Sequence, residues 1–417
     1  MTSPEAPAPI IVGGREQLFH LLAEASEIEH TLMCSYLYAA FSLKTAGSAE
    51  FSEAERDAVA RWRKIILGVA TDEMSHLLLV ANLSVAVGGR PHFGRPNFPV
   101  APGYFPSGVA VKLTPFSRET LQHFIFLERP VGAAVEDGEG FSDEFQYERE
   151  EAFHGLMPSV QDYATVGDLY EALKTNLRAS VSRDGEEALF IGPAASQVGP
   201  EVVSFEDVGV VTGLESALHA IDAIVEQGEG SPGAREDSHY HRFLTIQREY
   251  EELLRANPAF RPAWPAAENP VMRRPPEPED KVFVQAQPAA QLLDFANAVY
   301  STLLRCLLQG FGRLGPTAAT EQKRFIDTAI GLMHMLSDAA IMLAALPATR
   351  AHPGVHAGMT FTMLRGVAPF MQGTSEYVLM KERLQELSAG AKAVEAAVPG
   401  LRGISGRAER MLEKFLA

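Results

Sequence analysis

Glu-x-x-His occurs four times in this chain of 417 residues: Glu27/His30, Glu73/His76, Glu151/His154 and Glu236/His239. On a helix, residues at i and i+3 share a face, so each string offers a carboxylate and an imidazole to one point. In a chain with 12 histidines one such string is unremarkable, and its place on the helix decides what it means. Glu151/His154 lies in the charged run Glu148-Arg149-Glu150-Glu151 and reads as a solvated face. Glu27 aligns with Glu24 and Thr31 on the polar side of its helix. The other two strings fall inside apolar stripes, where an ionised carboxylate is costly unless a partner or a cation meets it.

Hydrophobic spacing of three and four residues dominates the chain and predicts the helices that hold these groups. The first, about Arg15 to Lys44, places Leu18, Leu22, Ala25, Glu29, Leu32, Tyr36 and Ala40 on one face. The second, about Ser52 to Val87, carries Trp62, Ile66, Val69, Glu73, His76, Val80 and Leu83, and stops at Gly88-Gly89. As an antiparallel hairpin, the two bring Glu29 and Glu73 to similar depth. A short helix, Ser117 to Arg129, has the stripe Leu121, Phe124, Glu128. Further helices are expected at about Val166 to Leu177, Val211 to Glu226, and from near Arg235 with the stripe Glu236, His239, Phe243, Ile246 and Tyr250. The Pro-rich stretch 261–286 marks a linker between a region 1–260 and a C-terminal helical region 287–417, with helices near 288–313, 318–346, 374–391 and 405–416. The class is all-α.

Several carboxylates on inward faces of one helical interior repel each other unless protons or cations intervene. The chemistry that suits them is a dinuclear metal site, in which carboxylates bridge two cations and imidazoles complete the coordination. Other residues read as structure: Tyr36, Tyr38 and Tyr250 as core packing near the site, and His334 as a packed core histidine. Formal net charge is −17, which argues against nucleic acid and anionic membranes as partners. Cys34 and Cys306 are too far apart and too few for a disulfide framework, and read as buried thiols. No uninterrupted apolar run of about 18 residues occurs and Met1–Pro9 has no leader pattern, so a cytoplasmic protein without a membrane span is expected.

The chain resembles the ferritin-like diiron family, and more narrowly the ferritin-like domain of enzymes in violacein and indolocarbazole assembly, the iminophenylpyruvate dimer synthase group. The likeness rests on Glu27-Ile28-Glu29-His30 with Tyr36-Leu37, Asp72-Glu73-Met74-Ser75-His76 with Asn82-Leu83, Phe126-Leu127-Glu128-Arg129-Pro130, Ile224-Val225-Glu226-Gln227-Gly228-Glu229-Gly230, and Ser238-His239-Tyr240 with Arg242-Phe243. The resemblance implies a ferritin-like four-helix bundle with insertions plus the C-terminal helical region. It also implies two iron ions, with manganese or a mixed pair as alternatives. By position, Glu29 matches the first-helix ligand, Glu73 with His76 the second-helix pair, and Glu236 with His239 the last pair. Glu128 and Glu226 both stand for the third-helix ligand, because Glu226 shares a face with Glu215, His219 and Asp222 that solvent could cover. The implied activity is a diiron oxidoreductase that uses dioxygen or peroxide on a small-molecule substrate, in a chain that can form homo-oligomers. The rival is a non-enzymatic metal storage or sensing protein, or a partner subunit of a biosynthetic complex.

Overall fold

The computed structural model describes residues 10–44, 50–101, 104–105, 109–141, 163, 165–205, 207–228, 237–274 and 281–417. Among them are eleven α-helices: α1 (Arg15–Ser42), α2 (Glu53–Ala86), α3 (Arg118–Leu127), α4 (Val166–Asp184), α5 (Glu186–Leu189), α6 (Leu214–Gln227), α7 (His239–Ala256), α8 (Ala289–Gly310), α9 (Ala318–Ala344), α10 (Thr374–Ala397) and α11 (Ile404–Leu416). The one sheet among these residues is a parallel pair, β1 (Pro270–Val271) with β2 (Val282–Phe283).

Local chemistry sets the ends of the helices that matter here. Ser52 accepts from the Glu55 amide while the Glu55 carboxylate accepts from the Ser52 amide at 2.7 Å, a reciprocal cap that opens α2. At its other end Gly88 adopts φ +93°, the left-handed turn that glycine makes without strain. Ser117 caps α3 through the Thr120 amide, and α3 gives out at Glu128, two residues before Pro130.

The predicted stripes are the buried ones. On α1 and α2, Leu18, Leu22, Ala25, Leu32, Tyr36, Trp62, Ile66, Val69 and Val80 are inside, and so are Glu29, Glu73 and His76. α2 and α9 are long and apolar enough, by length and composition, to cross a membrane, which the search for uninterrupted apolar runs missed. Of their most apolar windows, 67% and 50% are buried against the rest of the protein, so core packing accounts for the composition. His334 differs from its reading as a packed core residue: it is exposed on α9, because Leu332, Met335 and Leu336 take the inward positions.

α1 and α2 pack along their length, α3 lies on α7, and α6 and α7 close against α2. The α8–α9 hairpin packs on the outer side of α1, and one continuous apolar cluster runs from Ile10 to Phe415. In the Pro-rich stretch, of which 275–280 lie outside the described residues, the Trp264 amide bonds to Ser42 O at 2.8 Å and thereby ties the strap to the end of α1.

Trp62 is the clamp between α2 and α7. It is fully buried, stacks on Phe116 at 5.5 Å, meets Tyr250 edge-on at 5.2 Å, and donates its indole N–H to Glu249 Oε2 at 2.6 Å. Trp62→Ala should lower stability by about 3–5 kcal/mol in urea unfolding. Trp62→Phe, which keeps the ring and loses the N–H, should cost roughly 1–2 kcal/mol; equal losses for the two would show that the stacked ring contributes nothing.

Candidate metal centre

Five side chains from α1, α2, α7 and the end of α3 converge in the bundle: Glu29, Glu73, His76, Glu128 and His239, none more than 2% exposed. They form two donor groups that share Glu73, namely Glu29–Glu73–His76 and Glu73–Glu128–His239. The shared carboxylate spans the centre. Its Oε2 lies 3.1 Å from His76 Nδ1, and its Oε1 lies 3.1 Å from His239 Nδ1. Glu29 Oε2 is 3.3 Å from His76 Nδ1, and Glu128 Oε2 is 3.4 Å from His239 Nδ1. The two imidazoles lie 5.6 Å apart with an interplanar angle of 29°.

Both imidazoles turn Nδ1 into the cluster and use Nε2 outside it. His76 Nε2 donates to Gln227 Oε1 at 3.2 Å, and His239 Nε2 donates to Asp72 Oδ2 at 3.3 Å. Arg242 holds Asp72 at 2.6 Å. Such outer acceptors fix which nitrogen keeps its proton and leave the other free as a ligand. On the carboxylate side, Tyr170 donates to Glu29 Oε1 and Tyr36 donates to Glu128 Oε1. His239 Nδ1 and Glu128 Oε2, although within ion-pair distance, make no aligned hydrogen bond. Two buried polar atoms left so, each facing the other donors, fit a cation between them.

Electrostatics without a cation is strained in a telling way. Burial, and then the neighbouring Glu73, pushes the Glu29 carboxyl up to about 8. Burial also works against charge on Glu73, but its contacts with Glu29, His239 and His76 outweigh it and hold Glu73 well below the usual carboxylate range. The pair shares one proton, because two adjacent carboxylates cannot both ionise cheaply in an apolar interior. Burial opposes the charge on His76 as well, yet Glu29 and Glu73 raise it to about 10. His239 is likewise raised, against its burial, by Glu128, Asp72 and Glu73. Protons do here what cations would otherwise do, and the donor set of carboxylates and imidazoles suits borderline divalent metals such as iron, manganese or zinc.

Of the residues singled out from sequence, the structure does not bring all together. Glu226 is exposed on α6, on the solvent face with Glu215 and His219, because Ala217, Ala220, Ile221 and Ile224 take the inward side. Of Glu128 and Glu226, then, it is Glu128 that lies in the cluster. Glu236 and the Glu151/His154 string lie outside the described residues. α7 begins at His239, so no described helix extends back to the expected start near Arg235. His30 of the Glu27/His30 string is buried elsewhere, with Nδ1 donating to Phe93 O at 3.1 Å. Tyr36 belongs to the site, whereas Tyr38 donates to Ala267 O and Tyr250 packs on Trp62. Sequence reasoning missed Tyr170, Gln227 and Gly228. A Cβ at Gly228 would sit 3.4 Å from His76 Cε1 and 3.7 Å from His239 Nδ1, so the backbone there lies directly against both rings. The signal for Gln227 and Gly228 lay in the sequence stretch 224–230, which carries the family likeness but gave neither residue a role.

An all-α bundle in which four helical segments converge on a buried carboxylate–imidazole cluster defines a class of metal-binding helical proteins. The chain belongs to the Ferritin-like family, whose model matches residues 22–248. Among characterised proteins it is similar to dichlorochromopyrrolate synthase of Lentzea aerocolonigenes, at 28% identity over 389 residues, which covers 84% of this chain and 36% of that one. It is also similar to 2-imino-3-(indol-3-yl)propanoate dimerase of Chromobacterium violaceum, at 28% identity over 356 residues, 80% of this chain and 32% of that one. The chain thus spans about a third of the length of these relatives. A crystal structure of a ferritin like protein from Caulobacter vibrioides aligns at TM-score 0.48 and 18% identity, covering 84% of this chain and all of that one.

The two candidate carboxylates separate in a metal assay. After loading with ferrous iron and dialysis, Glu128→Gln should lose metal relative to wild type and Glu226→Gln should match it, read by plasma mass spectrometry. The reverse order would move the centre toward α6. Proton competition gives a second check. The Glu29 carboxyl keeps its proton up to about pH 8 in the cation-free protein and His76 keeps its own to about 10, so a binding cation must expel them. Apparent affinity should therefore climb as pH rises from about 6 to about 8, with protons released on titration in weakly buffered solution. A pH-independent affinity would contradict the assignment.

Proposed function

We propose that this chain is a dinuclear metal oxidoreductase, a diiron one in the first instance, that activates dioxygen or peroxide on a small-molecule substrate in specialised-metabolite biosynthesis. The observation that carries the reading is the Glu73 carboxylate set between two imidazoles that each turn Nδ1 inward, with Glu29 on one side and Glu128 on the other. Glu29, Glu73 and His76 would hold one ion, and Glu73, Glu128 and His239 the other. When bound, the pair of ions supplies the redox chemistry that protein side chains lack.

The remaining residues hold and orient. Tyr170 and Tyr36 donate to Glu29 and Glu128 and orient the carboxylates that would hold the ions. Gln227 and Asp72, the latter gripped by Arg242, keep the imidazoles in the tautomer that leaves Nδ1 free. Burial of all five donors excludes bulk water, which strengthens each of these interactions. Two similar proteins are named for making small molecules, one a synthase and one a dimerase, which supports a biosynthetic rather than a storage role.

The test is reaction with dioxygen. Iron-loaded protein reduced anaerobically and mixed with aerated buffer should consume dioxygen within a few turnovers on an oxygen electrode, and Glu73→Ala should not. Wild-type protein that holds iron but leaves dioxygen untouched would favour the rival reading as a storage or sensing protein.

A further inference from the structure

Behind the cluster, on the side of α1 and α2 turned to α8 and α9, lies a cavity of about 110 Å³. The turns that carry the metal-facing donors also line it: His30 follows Glu29, Met74 follows Glu73, and Leu77 follows His76. Leu307 of α8 with Ile330 and Met333 of α9 close the opposite wall, and Ile330 is exposed to solvent. Phe205 forms a further part of the wall, and it also borders a separate polar cleft that holds Asp72, Asp207 and Gln227.

Size and hydrogen bonding decide what such a space can hold. Pockets for drug-sized ligands run to roughly 300–1,000 Å³, and a single benzene ring occupies a cavity of roughly 150 Å³. A guest here is therefore very small. The polar side chains in the wall are His30, Cys34, Tyr300 and Ser337, and each is already bonded within the protein. His30 Nδ1 donates to Phe93 O at 3.1 Å, and its Nε2 accepts from Tyr300 OH at 2.6 Å. Cys34 Sγ lies 3.7 Å from that same hydroxyl, and Ser337 Oγ donates to Met333 O at 3.0 Å. Burial, and then the Arg95 cation, hold the His30 imidazole well below the usual histidine range, so it is neutral. Every donor in the wall is spent, and the rest of the lining is hydrocarbon and thioether. Water or peroxide needs several polar partners and is badly served there, whereas an apolar molecule gives up nothing on entering.

We propose that this cavity is a dioxygen site that serves the carboxylate–imidazole cluster, filled from the solvent side at Ile330, and that the oxidant of this chain is dioxygen rather than peroxide. The role of the gas rests on the oxidoreductase reading given above, but its occupancy depends on the wall alone. Dioxygen is uncharged, nonpolar and only two atoms long, so a dry apolar space draws it out of water. Phe205 keeps the charged cleft at Asp72 and Asp207 apart from that space. The walls belong to the same turns of α1 and α2 that carry Glu29, Glu73 and His76, so gas held here stands beside the centre without crossing bulk water.

The experiment uses the paramagnetism of dioxygen. Methyl spectra of the metal-free full chain, isotope-labelled at methionine, are compared under dioxygen and under nitrogen at equal pressure. Met33 and Met74 line the cavity; Met335 and Met380, fully buried, and Met342 and Met411, partly exposed, lie outside its lining. Relaxation at Met33 and Met74 should be enhanced several-fold over both kinds of control, and Leu307→Trp, which fills the space, should bring it down to their level. Enhancement no greater than at the controls, or undiminished in Leu307→Trp, overturns the proposal. The comparison among wild-type methionines decides even if that variant fails to fold. In iron-loaded protein, Leu307→Trp should need a several-fold higher dioxygen concentration for half-maximal consumption at equal iron content; an unchanged requirement would show that the cavity does not serve the centre. A wild type that gathers dioxygen at Met33 yet consumes none when iron-loaded overturns the oxidoreductase reading and leaves the gas site standing.

Discussion

Three carboxylates in one apolar interior is the constraint around which this protein is arranged. Glu29, Glu73 and Glu128 occupy positions that hydrophobic spacing assigns to the core, and each is at most 2% exposed. Left alone, they repel each other across a medium that screens poorly. The structure answers with a proton shared by Glu29 and Glu73, with two imidazoles, and with phenols from Tyr36 and Tyr170. Every helix that touches the centre brings a means of managing charge. The apolar clamp at Trp62 and the capping box at Ser52 give α2 and α7 the rigidity to keep those donors in register.

Much of this was legible in the sequence because it is periodic. A Glu at a stripe position, as at Glu29 or Glu73, breaks a pattern that otherwise predicts only Leu, Val or Ile, and so announces itself. The third carboxylate was not decided that way. Glu128 ends a ten-residue helix, too short for its periodicity to outweigh Glu226, which lies only ten residues before Glu236 in the chain. Packing turns the Ala/Ile face of α6 inward and leaves Glu226 exposed, while Glu128 lies in the cluster. Tyr170 lies 141 residues from the carboxylate it meets, and no local pattern encodes such a contact. His334 shows the converse, an apolar neighbourhood in sequence that becomes a solvent position once Leu332 and Leu336 have claimed the core.

The α1–α2 pair serves two interiors at once. One face carries polar donors toward α3 and α7; the adjoining face carries His30, Met33, Met74 and Leu77 toward α8 and α9. A substitution on either helix is therefore felt on both sides, and the C-terminal hairpin is part of the environment of the centre rather than an appendage. The continuous apolar cluster from Ile10 to Phe415 is the physical expression of that coupling.

Glu128 has one more property, which follows from where α3 stops. It occupies the C-cap position, where unpaired carbonyls gather the negative end of the helix dipole. A carboxylate there adds like charge to like, and ten residues make a helix that is marginal in isolation. A cation held at Glu128 would offset the charge of that carboxylate, which α3 otherwise carries at its negative pole. Filling the centre would then do more than equip it for chemistry: it would lengthen the lifetime of the shortest helix at the site and tie local order in the bundle to metal supply.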